Sequence, residues 1–271
     1  MLESIRKRVR TGKATVGLPA ADLPAPFRGM PVIGDAFRSG NVAETCAKAC
    51  ATEAIDPEKK TIDLGRCIFC GLCEEACGGE GIRFSRDPRL PWGKREHLVL
   101  GGPVPGDATA PPDLRSLLGR SLHLREVSAG GCNGCDLEAL ALGNPIFDLQ
   151  RFGIDFVASP RHADGLLVTG PVSKNMREAL VKTYDAIAEP RIVIAIGACA
   201  ASGGIFRGSY AVENGVGGVL PVDLFIPGCP PHPLTLLYAI LGFLGRSPGK
   251  TPVNGGDGNP CKDPPNRPGP P

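Results

Sequence analysis

Cysteine usage constrains this chain more than any other feature, because 11 of its 271 residues are cysteines and most stand in patterned settings. The stretch 127–138, VSAGGCNGCDLE, holds Cys132 and Cys135 as a C-x-x-C pair in glycine-rich backbone after a predicted strand. Cys199 in GACAASGG and Cys229 in PGCPPHP occupy similar positions after later predicted strands. We therefore predict that these four thiols form one metal site, which only the folded chain assembles.

A second group of cysteines lies upstream with the spacing C-x2-C-x2-C-x3-C. Its members are Cys67, Cys70, Cys73 and Cys77. This is the spacing of bacterial ferredoxins, in which the fourth cysteine of a run binds the other cluster of a pair. The end of a matching run, Cys46-x3-Cys50, precedes it, but its first two positions hold Gly40 and Ala43.

Counting ligands favours one [4Fe–4S] cluster over two in this region. The complete set is Cys50, Cys67, Cys70 and Cys73. Only Cys46 and Cys77 are left for a second cluster, which needs about four ligands. Whether these two cysteines hold anything stays open. Four thiolates also suit zinc, although a C-x2-C-x2-C run is more typical of iron–sulfur proteins.

Residues 121–246 alternate between strand-like and helix-like patterns, which predicts a parallel sheet covered by helices on both faces. The predicted strands are LHLREVSAG, IDFVAS, GLLVTG, IVIAIG and VDLFIPG. The predicted helices include Ser173–Glu189, with Ser173 as the N-cap, and the apolar stretch Pro233–Gly245. Functional groups in such sheets collect beyond the carboxyl ends of the strands, where the downstream thiols are expected.

The fold class is therefore α/β, with a flavodoxin-like parallel sheet preceded by a small ferredoxin-like α+β domain. We predict an extended arm at 1–35, the ferredoxin-like domain at 36–90, a linker at 91–120, the sheet domain at 121–246 and a disordered tail at 247–271. In the arm, Leu2, Ile5 and Val9 line one side of a basic helix. That helix is either a solvated start or a docking element for a partner subunit or an anionic membrane surface. Cys261 in the tail is interpreted as incidental.

Several classes of protein are excluded by what the sequence lacks. It has no apolar run long enough to span a membrane, and its N-terminus lacks the apolar region of a secretory signal. Its net charge of +2 argues neither for nor against nucleic acid, and no nucleic-acid partner is expected. Without G-x-G-x-x-G after a strand or G-x-x-x-x-G-K-[ST], neither a nicotinamide, a flavin nor another nucleotide is expected. Cysteines without a signal indicate a reducing compartment, and no catalytic residue is predicted.

The motifs GGCNGC, ASPRHADGLLVTGPVSKNM, GACAASGGIF and VDLFIPGCPP resemble the small subunit of group 4 membrane-bound [NiFe] hydrogenases, formate hydrogenlyase included. Over about residues 121–245 they are similar to the 20 kDa subunit family of complex I. Complex I members usually have adjacent cysteines where this chain has C-x-x-C, so the spacing resembles the hydrogenase branch. The stretch from RTGKATV to DLGRCIFCGLCEEAC resembles the ferredoxin-like subunit of the same complexes. The chain thus looks like two neighbouring subunits fused.

This resemblance implies a proximal [4Fe–4S] cluster in the sheet domain. Its ligands would be Cys132, Cys135, Cys199 and Cys229. Small residues would let backbone N–H groups approach the sulfurs of this cluster. The candidates are Gly131, Gly134, Gly203 and Gly204, together with Gly130. The alternative is that these glycines only form turns. Glu138, one turn beyond Cys135, is either a proton relay toward the partner or an ordinary surface or helix N-terminal carboxylate.

The resemblance also implies an oxidoreductase subunit with two [4Fe–4S] clusters, one in each domain, and with the catalytic centre on another chain. The main partner would be a large subunit of the hydrogenase or complex I 49 kDa type, together with other subunits of a membrane complex. A ferredoxin or a formate dehydrogenase would be the donor. We expect a cytoplasmic protein, peripheral on the inner face of the cytoplasmic membrane. The alternatives are a complex I-type carrier to quinone and a zinc-binding scaffold.

Overall fold

The computed structural model describes residues 2–12, 14–18, 23–40, 42–103, 106 and 108–246. The predicted tail, with Cys261, lies outside the described residues. The predicted arm begins with a helix, α1 (Leu2–Thr11), and ends in a strand, β1 (Pro31–Ile33). On α1, the side chains of Ile5 and Val9 are both exposed. The arm is therefore helical at its start and joins a sheet at its end.

The cysteine-rich region folds into short helices and small antiparallel sheets. Its helices are α2 (Asp35–Ser39), α3 (Val42–Lys48) and α4 (Leu72–Ala76), and its strands are β2 (Ile55–Asp56), β3 (Thr61–Asp63) and β4 (Ile82–Phe84). Strand β1 pairs with β4, while β3 pairs with both β2 and a later strand, β5 (Val99–Leu100). Helices α3 and α4 contact each other, so the two cysteine runs at their ends are brought together.

The segment 91–120, predicted as a linker, carries regular structure. It contains a 3-10 turn (Arg95–Leu98), strand β5 and a helix, α5 (Pro112–Leu118). These elements show no sequence period because each is very short and depends on its tertiary partners, as β5 depends on β3. Trp92 is only 7 % exposed, and its indole ring packs so closely on Gly242 that no Cβ would fit there.

The second half of the chain follows the predicted alternation of strands and helices. Its elements are β6 (Leu122–Ser128), α6 (Gly134–Ala141), β7 (Ile154–Phe156), β8 (Gly165–Thr169), α7 (Lys174–Asp185), β9 (Ile192–Ile196), α8 (Gly197–Ser202), β10 (Leu224–Ile226) and α9 (Pro233–Phe243). Within the described ranges, the five strands form one parallel sheet in the order β7-β6-β8-β9-β10. This is the flavodoxin-like order, so the predicted fold class is confirmed.

Both faces of the sheet are buried, as parallel sheets require. Along β9, Ile194 packs with the apolar helix α9, while its neighbour Ala195 packs on the opposite face with Leu180 of α7. Every residue of α9 is buried, and burying each leucine or isoleucine stabilises the fold by about 1.5–3 kcal/mol. Among the described residues, no helix has both the length and the apolarity needed to cross a membrane.

The small domain packs directly on the sheet domain, just beyond the carboxyl ends of β9 and β10. The Ser202 hydroxyl donates to the carbonyl of Gly65 at 2.8 Å, and the Thr235 hydroxyl donates to the carbonyl of Pro88 at 2.7 Å. Beside β10, the backbones of Gly93 and Phe225 exchange hydrogen bonds. The cysteine-rich domain is therefore held against the edge of the sheet where functional groups collect.

Candidate iron–sulfur sites

The first site is a cavity in the small domain, lined by the cysteines predicted as one ligand set. These are Cys50, Cys67, Cys70 and Cys73. The first of them follows α3, Cys67 and Cys70 lie in the loop that leads into α4, and Cys73 lies in the first turn of α4. Positive φ angles at Phe69 (55°) and Gly71 (84°) turn this loop tightly enough to direct its thiols inward.

Burial governs the electrostatics of this cavity. It raises the pKa of Cys67 to about 12 and that of Cys73 to about 11, and the neighbouring thiols raise both further because ionised sulfurs repel one another. Backbone N–H groups face the sulfurs: Ala54 donates to Cys50 Sγ at 3.2 Å and Phe69 donates to Cys67 Sγ at 3.4 Å. Thiolates therefore need a cationic centre here to exist at neutral pH.

The two cysteines left over from the ligand count are paired with each other. Cys46 and Cys77 form a disulfide, with their Cα atoms 6.0 Å apart. Cys46 is fully buried on α3, and Cys77 caps the end of α4. The sequence left their role open, and the structure places them outside the four-cysteine cavity, joining the two helices that carry its ligands.

The second site lies at the carboxyl edge of the parallel sheet. Cys132 follows β6, Cys135 begins α6, Cys199 lies in α8 directly after β9, and Cys229 follows β10. Burial raises the pKa of Cys135 to about 12 and that of Cys199 to about 11, and the thiols of Cys229 and Cys132 raise both further. The structure thus brings the four predicted thiols within range of one another, although their role as ligands stays a prediction.

Two of the four glycines predicted to border this site lie beside its thiols. A Cβ on Gly204 would come within 2.8 Å of Cys199 Sγ, and one on Gly134 would lie 3.6 Å from Cys132 Sγ. The other two, Gly131 and Gly203, pack against the backbone of neighbouring loops. Of these four glycines, therefore, only Gly204 and Gly134 lie next to a sulfur of the second site.

The glycine that lies closest to a sulfur of the second site was not predicted from the sequence. Gly197 has a φ of 85° and leaves no room for a side chain, because a Cβ there would lie 2.6 Å from Cys135 Sγ. The available signal was its place directly after the strand pattern IVIAI and two residues before Cys199. Gly197 and Gly204 together leave space around the sulfurs that larger residues would fill.

Two carboxylates, buried Asp136 and half-buried Glu126, lie close to the second site. Asp136 is 7 % exposed and accepts a hydrogen bond from the Thr169 hydroxyl at 2.8 Å. Its other oxygen and Oε1 of Glu126 have no hydrogen-bond partner among the described residues. Burial raises the pKa of Glu126 to about 7, and the charge of Asp136 adds to the shift. Burial also raises the pKa of half-buried Glu138, whose proposed relay role stays a prediction.

The two four-cysteine sites approach each other across the contact between the domains. The pKa of Cys229 is raised first by burial, then by the thiol of Cys132, and then by that of Cys70, which belongs to the first site. Such an effect requires the two sulfurs to lie within range of each other's charge. Cys70 and Cys229 therefore lie near enough for the charge of one to affect the other across the contact between the domains.

Both sites fit an iron–sulfur cluster by the chemistry of their donors. Each offers four thiols, and backbone N–H groups or glycines stand beside them, which is the setting in which proteins hold [4Fe–4S] clusters. Within the described part of the chain, no three cysteine, histidine, aspartate or glutamate side chains converge as ligands of a single metal ion.

Comparison with protein families gives two matches along the chain. Residues 132–243 match the family described as NADH ubiquinone oxidoreductase, 20 Kd subunit. Residues 60–83 match the 4Fe-4S binding domain. The first match includes all four cysteines of the second site, and the second match includes three of the four in the first site, with Cys50 outside it.

Individual relatives are named as subunits of a formate hydrogenlyase, a membrane-bound hydrogenase or an NADH-quinone oxidoreductase. The chain is 48 % identical over 126 residues to formate hydrogenlyase subunit 7 of Escherichia coli (46 % of this chain, 49 % of that protein). It is 44 % identical over 128 residues to a probable membrane-bound hydrogenase subunit, mbhJ, of Pyrococcus furiosus (47 % and 77 %). It is 51 % identical over 108 residues to an NADH-quinone oxidoreductase subunit of Mycolicibacterium paratuberculosis (40 % and 58 %). The chain therefore spans about half the length of the first of these relatives.

Proposed function

The chain belongs to the NADH ubiquinone oxidoreductase 20 kDa subunit family, and from this premise we propose that it is an electron-transfer subunit of a membrane-associated [NiFe]-hydrogenase-type complex similar to formate hydrogenlyase. The resemblance predicted from the motifs is thereby confirmed. The proposed subunit carries two [4Fe–4S] clusters, one in each domain. The observation that carries the proposal is the assembly of two sets of four thiols, one lining a cavity of the small domain and one at the carboxyl edge of the parallel sheet.

A bound [4Fe–4S] cluster takes up and releases single electrons, and the protein supplies its ligands and its surroundings. The first site's ligands are Cys50, Cys67, Cys70 and Cys73; the second site's are Cys132, Cys135, Cys199 and Cys229. Apolar side chains such as Ile55 and Ile62 exclude water from the first cavity, while backbone N–H groups face its sulfurs. Clusters held by these two sets of cysteines would supply a route for single electrons between the domains.

An exposed apolar surface next to the second site supports docking of a large subunit there. Cys132 and Cys229 are themselves exposed. Leu137 and Leu140 on α6 are 59 % and 62 % exposed, and Ile205, which follows α8, is 63 % exposed. Exposed apolar patches mark protein interfaces, and these side chains lie on or just after the helices that hold Cys135 and Cys199. The partner of the proposed complex is therefore a large subunit of the hydrogenase or complex I 49 kDa type, which covers this opening and bears the catalytic centre.

The rest of the proposed assembly follows from the relatives. Other membrane-complex subunits would hold the chain at the inner face of the cytoplasmic membrane, and a ferredoxin or a formate dehydrogenase would exchange electrons with the first cluster. The alternative function is a complex I-type carrier that delivers electrons to quinone, which is favoured by the 51 % identity to the mycobacterial NADH-quinone oxidoreductase protein. The separated C-x-x-C at Cys132 and Cys135 favours the hydrogenase type.

Purification of the native complex tests the proposal. We would tag the chain in its own organism, isolate the complex anaerobically from membranes, use mass spectrometry to identify the large subunit and measure nickel. The proposal predicts nickel and H₂-dependent reduction of methyl viologen, both tied to a hydrogenase-type large subunit. Nickel-free complex that reduces a quinone would establish the alternative. In a Cys199→Ser complex, viologen reduction is expected to be lost while nickel stays on the large subunit.

A further inference from the structure

The arm of the chain passes the place where the two cysteine sites approach each other. Its dipeptide Phe27–Arg28 touches both domains, with one side chain on each. Backbone hydrogen bonds fix the residues that follow: Gly29 donates to the Ser85 carbonyl at 2.7 Å, and Met30 donates to the Asp87 carbonyl at 3.1 Å. The dipeptide therefore has a defined position at the contact between the domains.

On the small domain, Arg28 lies over the loop that carries the ligands of the first site. Its guanidinium group packs against Gly71, where an added Cβ would come within 2.5 Å of Nε and 2.8 Å of Cζ. Gly71 stands between Cys70 and Cys73. Arg28 forms no ion pair with another of the described residues, so its charge is not neutralised by a carboxylate there.

On the sheet domain, Phe27 packs against the histidine that begins the helix after Cys229. The rings of Phe27 and His232 meet edge to face, with centroids 5.5 Å apart. The ring nitrogen Nδ1 of His232 accepts a hydrogen bond from the N–H of Leu234 and so caps α9. Through this contact, the neighbouring Arg28 is held at the loop between Cys70 and Cys73.

We propose that the guanidinium charge of Arg28 raises the reduction potential of the first cluster. Arg28 would act on the side of that cluster which is nearer to the second site. This inference rests on the proposed function, because it needs a cluster bound by Cys50, Cys67, Cys70 and Cys73. A reduced cluster carries one more negative charge than an oxidised one, so a nearby cation stabilises the reduced form and raises the reduction potential.

The exposure of Arg28 limits the size of this effect. Its side chain is exposed, so water and salt screen its charge, and the contribution decreases as ionic strength rises beyond about 0.1 M. The charge matters more than the exact donor geometry, because the guanidinium lies over backbone and donates to no carboxylate among the described residues. Lysine should therefore substitute well for Arg28, whereas the neutral glutamine should not.

The test is an EPR-monitored redox titration of the full chain with both clusters bound. Arg28→Gln is expected to lower the midpoint potential of the first cluster and to shift that of the second cluster less, and Arg28→Lys is expected to restore the first. Arg120→Gln makes the same charge change just before β6, at the amino ends of the strands and away from both sites. This control should leave both potentials unchanged. The first cluster's signal is assigned in a Cys199→Ser background, in which only that site is filled.

An unchanged first-cluster potential in Arg28→Gln, with iron content equal to wild type, would overturn the inference. Equal shifts in Arg28→Gln and Arg120→Gln would do so too, because the effect would then be one of net charge alone. If Arg28→Gln does not retain its iron, a salt titration of the wild type decides: the first-cluster potential must fall as KCl is added. A wild-type chain that binds no iron would instead refute the proposed function itself.

Discussion

The two four-cysteine sites have the same donors and similar thiol environments, but the chain builds them in different ways. Three of the four cysteines predicted as ligands of the first site lie within the stretch 67–73, which is a loop shaped by positive φ angles and the first turn of α4. The ligands of the second site run from Cys132 to Cys229 and meet only because β6, β9 and β10 end at one edge of a parallel sheet. The first site is thus specified by local spacing and the second by topology.

This difference has a consequence for how each site fails. The loop of the first site depends on few residues beyond α3, α4 and their contacts. The second site depends on the register of the whole sheet and on glycines, such as Gly197, that lie against its sulfurs. Substitutions in the sheet domain should therefore disturb the second site at a distance, while the first site should respond mainly to changes in its own loop.

Removal of one ligand from each site is expected to give the largest effect. Cys199→Ala should lose about four of about eight irons and keep the first cluster, and Cys67→Ala should do the reverse, since each [4Fe–4S] cluster has its own four ligands. Iron analysis and EPR of the two variants check this. Loss of all iron from either variant would mean that the sites are not independent.

A glycine substitution beside the second site should come next in size. Gly197→Ala places a Cβ against Cys135 Sγ, so it should lose most of the second cluster's iron and leave the first cluster filled. Gly208→Ala is the matched control, because Gly208 also has a positive φ (79°) but no atom within 4 Å of the added Cβ. The control should lower the free energy of unfolding by only about 1 kcal/mol. Equal iron loss in both variants would contradict the role assigned to Gly197.

Substitution of the leftover cysteines should spare the first cluster. Cys46→Ala removes the disulfide with Cys77 and truncates a buried side chain, which should cost about 2–5 kcal/mol of stability, but it should leave the iron content unchanged. Cys50→Ala, one helical turn further along the chain, should remove the first cluster. If Cys46→Ala loses about four irons, as one whole [4Fe–4S] cluster would hold, the ligand set of the first site has been assigned wrongly.

The smallest expected effect concerns pH and Glu126, the half-buried carboxylate close to the second site. Burial raises the pKa of Glu126 to about 7, so the folded chain holds this proton more tightly than the unfolded chain. Stability from the protonated form is fully present below the ordinary pKa of the group and is lost as pH rises through about 7. Glu126→Gln should therefore be more stable than wild type at about pH 8, and thermal unfolding should show this advantage shrinking towards about pH 5. An advantage independent of pH would point to packing instead.

Much of the sheet domain could be predicted from local pattern. The five strand patterns and the buried helix α9 agree with the structure, because continuous apolar runs report burial on both faces directly. The helix predicted to reach Glu189 ends at Asp185, since the backbone ahead of Pro190 turns away from helical geometry. The short elements of 95–118 were not predicted, because pairing with distant residues rather than local propensity forms them.

Contacts between distant parts of the chain were the main feature that the sequence did not reveal. The spacing of the cysteines predicted two sets of four, but not that Cys46 would meet Cys77 or that Cys70 would face Cys229. Both contacts depend on how the loops pack against one another in the folded chain. A periodic pattern in the sequence does not predict such packing. The same holds for Gly197 and Arg28, whose positions matter only through the sulfur or the loop that each one touches.

The central claim is that one chain holds two [4Fe–4S] clusters that face each other across its domains. The most direct measurement is iron and acid-labile sulfide per chain on anaerobically purified protein, with EPR after dithionite reduction. The account predicts about eight irons and about eight sulfides, with two cubane signals split by magnetic interaction. About four irons, two signals without interaction, or zinc in place of iron would each contradict it.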